Sequence, residues 1–62
     1  MVELTYYIEN TLALELALEN ISDRIPCFVT REYIEMNYSK ITIQARIEDF
    51  NSIDEVFSLL GC

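Results

Sequence analysis

Histidine and tryptophan are absent from this 62-residue chain, and glycine and proline occur once each. Without histidine, the side chain most used for proton transfer near neutral pH is missing, and with it the commonest metal ligand. A lone glycine at position 61 excludes a glycine-rich phosphate loop. Bases are scarce too. Four Lys and Arg against eleven Asp and Glu leave a net charge of −7 and a pI near 4.1. That sign repels the phosphates of nucleic acids and anionic membrane surfaces, so no direct binding to either is expected. No apolar run nears the roughly 20 residues of a membrane span. No basic start followed by an apolar run marks a signal peptide. Cys27 and Cys62 are too few for a disulfide framework and have no histidine to complete a metal site. They are expected as reduced thiols in a cytoplasmic protein.

What remains is a chain 52% hydrophobic and 24% charged, which excludes a disordered or low-complexity segment. Its length allows one small domain, residues 1–62. From Val2 to Ile8, apolar Val2, Leu4, Tyr6 and Ile8 alternate with Glu3, Thr5 and Tyr7, the period of a half-buried strand. Asn10 or Thr11 then caps a helix over Thr11–Ser22, whose core stripe is Leu14, Ala17, Leu18 and Ile21. Arg24 suits the helix C-terminus and Pro26 marks the stop. Cys27–Met36 is β-branched and aromatic and reads as a second strand. Its alternation is muddled: Phe28, Ile34 and Met36 share one parity and Val29 and Tyr33 the other. A bulge or a strand with two partly covered faces explains that. A turn over Asn37–Lys40 leads into the cleanest strand, Ile41–Glu48, with Ile41, Ile43, Ala45 and Ile47 inward. Asp49 or Ser52 opens the last helix, and Ser52 with Glu55 matches a capping box. Phe50, Ile53, Phe57 and Leu60 line up at helical spacing beside Val56, and Gly61 is the stop residue.

The predicted order is strand–helix–strand–strand–helix, an α+β fold. A right-handed crossover from the first strand to the second leaves room for the third between them. The sheet order is then 1-3-2, antiparallel, with both helices on one face: a ferredoxin-like unit lacking its fourth strand. Both edges stay open, and open edges invite another chain.

Catalytic candidates are thin. Ser22, Ser39, Ser52 and Ser58 fall at structural positions without a nearby base. Glu15 and Glu19, one helical turn apart, could ligate a cation, but read better as a solvated face. Glu48 and Asp49 suit a helix N-terminus. Tyr6, Tyr7, Tyr33 and Tyr38 read as core and rim packing, or as interface aromatics. No enzyme activity, metal or cofactor is expected.

The segment KITIQARIEDFNSIDEVFSLL, Lys40–Leu60, resembles the small dimerisation subunit of the KEOPS complex, the CTAG/LAGE-type family. There an alternating apolar strand ends in an acidic pair and a leucine-rich helix follows. VELTYY and ALELALENI resemble that family's first strand and helix. The resemblance spans nearly the whole chain as a pattern of apolar and acidic positions, without a catalytic motif. It implies a non-catalytic subunit of the assembly that installs threonylcarbamoyladenosine in tRNA. In that family the small subunit dimerises by sheet pairing, docks on the catalytic subunit and helps hold tRNA. Archaeal paralogues replace one copy of it to give a heterodimer. This chain departs from the family in a shorter last helix and in a charge unsuited to gripping tRNA, which favours the paralogue. The expected partner is therefore the main small subunit or a second copy of the chain itself. An acidic phage or viral inhibitor mimicking nucleic acid is the alternative. A ligand-binding regulatory domain is a third class, with no good site in the sequence.

The expected partner contacts are Leu12, Leu16, Tyr7, Phe28 and Tyr33. Leu12 and Leu16 lie one turn apart, opposite the core stripe. They are either part of a broader core or an apolar ridge for a partner.

Overall fold

The computed structural model describes residues 1–60. Its elements are β1 (Val2–Glu9), α1 (Leu12–Arg24), β2 (Cys27–Glu35), β3 (Tyr38–Ala45) and α2 (Phe50–Leu59), with a short 3-10 turn at Ile47–Asp49 before α2. The sheet is antiparallel in the order β1-β3-β2, so the expected α+β fold with strand order 1-3-2 is the one observed.

The central strand shows why. Ile41, Ile43 and Ala45 alternate with polar residues and are fully buried. Across the ladder, Ile41 meets Tyr6 and Arg31, Ile43 meets Leu4 and Val29, and Ala45 meets Val2 and Cys27. Period two puts all of these on one face of the sheet. Leu14 and Ile21 of α1 and Ile53 and Phe57 of α2 close over that face in a single core. Tyr6 stacks on Phe57 with ring centroids 4.1 Å apart. Its hydroxyl donates to Asp54 Oδ1 at 3.0 Å, pinning α2 to β1.

Thr11 caps α1, its side-chain oxygen accepting from the Leu14 amide at 3.2 Å. Arg24 lies in the last turn, and α1 stops before Pro26, as the sequence predicts. Leu14, Ala17 and Ile21 are buried and Leu18 is half-buried.

Four local expectations are corrected. The hairpin turn is Met36–Asn37, not Asn37–Lys40: Tyr38, Ser39 and Lys40 pair within β3, and a bulge at Ile34 absorbs the offset. β3 ends at Ala45 rather than Glu48, so Ile47 sits in the 3-10 turn, 76% exposed. There Arg46 pairs with Glu48 at 3.0 Å and Asp49 at 3.1 Å. The Ser52–Glu55 capping box does not form, because α2 begins at Phe50 with Asp49 in the cap position. Asp49 makes no cap bond, its carboxylate being held by Arg46. Phe50 stays 38% exposed instead of joining the core stripe. The predicted stop at Gly61 lies outside the described residues.

A core this small gives one large side chain great weight. A domain below about 70 residues rarely draws more than about 3–5 kcal/mol from its core, and Phe→Ala in a core costs about 3–5 kcal/mol. Phe57→Ala is expected to leave the chain mostly unfolded by far-UV circular dichroism. Ile53→Val should keep the fold and lower stability by about 1 kcal/mol in urea melts.

Candidate functional site

At the hairpin end of the sheet a polar node replaces the apolar core. Arg31 occupies an inward position of β2, opposite Ile41. Its Nη1 donates to Glu15 Oε1 at 2.6 Å and its Nη2 to Asn10 Oδ1 at 2.8 Å. Its Nε donates to Ser39 Oγ at 3.3 Å. Ser39 is fully buried and donates in turn to Asn10 Oδ1. One guanidinium thus ties together β2, β3, α1 and the β1–α1 junction. The Arg31 side chain is only 18% exposed, against 53% for Glu15. Among the described residues no buried side-chain nitrogen or oxygen lacks a partner. The fixed donor fork of arginine suits such a many-sided role, which lysine could not fill.

This node was missed in the sequence. Ser39 reads there as a turn residue and Glu15 as half of an acidic pair with Glu19. The available signal was the break in β2 alternation, where an arginine takes the place of an inward apolar residue.

The sequence-predicted contact residues fall on separate surfaces. Leu12 and Leu16 are 75% and 59% exposed on the side of α1 away from the sheet, so they are no part of the core. Tyr7 and Phe28 lie on the opposite, helix-free face of the sheet, 61% and 68% exposed. Tyr33 stands at the β2 edge, where the Arg31 guanidinium lies 4.6 Å from its ring centroid. The structure brings Tyr7 and Phe28 to one face and leaves Leu12, Leu16 and Tyr33 elsewhere.

Chemical groups are sparsely placed. Among the described residues no three of Cys, Asp and Glu cluster closely enough to hold a metal ion. Burial, and secondarily the negative charge of Asp49, push the Cys27 thiol up from its usual value. That disfavours the thiolate and makes Cys27 a poor nucleophile. A groove of about 590 Å³ between α1 and α2 is lined by Ile21, Ile25, Val56 and Leu59 together with Arg24 and Glu55. Ser52 also lines it, but among the described residues no histidine, lysine or cysteine does. No helix among the described residues is long and apolar enough to cross a membrane.

Comparison of the chain with protein-family models, with curated proteins and with solved structures finds no match.

Two substitutions separate the node from surface charge. Arg31→Ala takes one donor each from buried Ser39 and half-buried Asn10, which keep their bond to each other, and should cost about 1–3 kcal/mol in chemical denaturation. Glu15→Ala removes only the exposed end and should cost less than about 1 kcal/mol. Leu12→Glu combined with Leu16→Glu should leave the far-UV spectrum unchanged and shift stability by less than about 0.5 kcal/mol, because both side chains already face water.

Proposed function

We propose that this chain is a non-catalytic association subunit that joins another protein through an open edge of its sheet. The single observation that carries this reading is the strand order. β3 is paired on both sides, whereas β1 and β2 each present one unpaired edge running over Val2–Glu9 and Cys27–Glu35. Neither strand contains a proline to interrupt an added strand. Strand addition at such an edge supplies main-chain hydrogen bonds as the source of affinity.

The assembly we propose is the KEOPS complex, with the main small subunit as partner in place of a second copy. The resemblance of Lys40–Leu60 and of the first strand and helix supports that choice. The strand–helix–strand–strand–helix order is compatible with it. The same reading puts the chain in the cytoplasm. It assigns tRNA contact to other subunits, since two of the four cations are already in use, Arg31 paired to Glu15 and Arg46 to Glu48 and Asp49, and the net charge is −7.

Capture of the tagged chain from its own cells, followed by mass spectrometry and sedimentation, tests the proposal. The main small subunit should be recovered in a one-to-one complex. Recovery of a nuclease effector instead would mark an acidic nucleic-acid mimic and overturn the reading, as would recovery of no partner. Filter binding of tRNA to the isolated chain at low salt should show no retention. Tight binding that weakens steeply with salt would contradict the assignment.

A further inference from the structure

The helix-free face of the sheet is built in ordered rows. Ladder register sets Glu3, Gln44 and Phe28 side by side, then Thr5, Thr42 and Thr30, then Tyr7, Lys40 and Glu32, then Glu9, Tyr38 and Glu35. Three aromatic residues stand on it, Tyr7, Phe28 and Tyr38, with 61%, 68% and 44% of their surface exposed. The charges are sorted by strand. Glu3 and Glu9 lie on β1 and Glu32 and Glu35 on β2, all exposed, while the central strand carries no acid. Lys40, half-buried in the middle, is the one cation of the face. The central strand presents Gln44, Thr42, Lys40 and Tyr38, while Tyr7 and Phe28 stand on the outer strands among the four carboxylates.

Those carboxylates decide what can cover the face. A second copy would set four more glutamates against the first four, and like-charge juxtaposition in an interface costs several kcal/mol. Nucleic acid and anionic lipid are repelled by the same four carboxylates. A protein surface that combines apolar side chains with lysine or arginine is complementary in both respects.

We propose that this open sheet face docks a basic protein surface, its apolar side chains against Phe28, Tyr7 and the threonine row and its cations on Glu3, Glu9, Glu32 and Glu35. The face is separate from the sheet edges, so the proposal stands independently of the edge-pairing reading. Strands of eight or nine residues and three strands about 4.8 Å apart make a plan area of roughly 400 Å², the size class of a weak contact. Such a contact is salt-sensitive and owes much of its association rate to charge.

The test is an NMR titration of the labelled chain with a synthetic peptide of alternating lysine and leucine. Amide shifts should map to Phe28, Thr30, Lys40 and Thr42, and fade as salt rises. Changing Glu3, Glu9, Glu32 and Glu35 to glutamine should weaken binding about tenfold or more. Changing Glu19, Glu48 and Glu55 to glutamine and Asp23 to asparagine removes the same charge elsewhere and should alter affinity less than about twofold. Phe28→Ser, at an exposed site, should also weaken binding. Shifts on α1 or α2 instead of the face, or equal losses in the two charge variants, would overturn the proposal. So would concentration-dependent shifts of the same face amides without peptide, which would show a second copy there.

Discussion

Covering the sheet on one side only is the constraint from which the rest of this fold follows. β3 supplies Ile41, Ile43 and Ala45 at full burial, and every large core contact converges on that strand or its neighbours. Both helices close over this one face, and among the described residues no further helix covers the other. The consequences are geometric. Three strands leave two edges unpaired, and a single helical layer leaves the opposite sheet face in water. A larger domain would bury these surfaces internally; this one presents them.

Charge placement fits that exposure. Two of the four cations are spent inside the molecule, Arg31 in the node and Arg46 at the turn into α2. The acids remain largely outside, four of them along the borders of the open sheet face. The node costs part of the apolar core at the hairpin end. In return, one guanidinium holds β2, β3, α1 and the β1–α1 junction in mutual register. Breaking such a group takes a donor from three partners at once, and the loss at buried Ser39 weighs most.

Most of the architecture was legible in the sequence because burial is one-sided. The alternation through Ile41, Ile43 and Ala45 and the stripe Leu14, Ala17 and Ile21 are direct imprints of a single covered face. Crossover handedness then leaves one place for β3. Features that depend on side-chain pairing left no such imprint. Ile47 continues the parity of β3, yet the chain enters a 3-10 turn at that residue, where Arg46 pairs with Glu48 and Asp49. Asp49 resembles a cap by position, but its carboxylate is engaged by Arg46. The Arg31 node disturbs the β2 pattern without revealing its partners, since Asn10, Glu15 and Ser39 are distant in sequence. The mixed alternation of Cys27–Met36 does carry the bulge found at Ile34, but not the shift that it imposes on the hairpin turn. Among the expected contact residues, the angle of Leu12 and Leu16 to the core stripe left core and ridge both open, and the structure exposes them. The sharing of one face by Tyr7 and Phe28 required the ladder register.

Amide hydrogen exchange, measured on the chain alone and again in its complex with the captured partner, tests the central claim most directly. Ile41–Ala45 should exchange slowest in both states. The outward amides of β1 and β2 should exchange rapidly in the isolated chain, and those of one edge strand should slow markedly when the partner is bound. Slow exchange at both outer edges in the isolated monomer, or no gain of protection at either edge in the complex, would contradict the account.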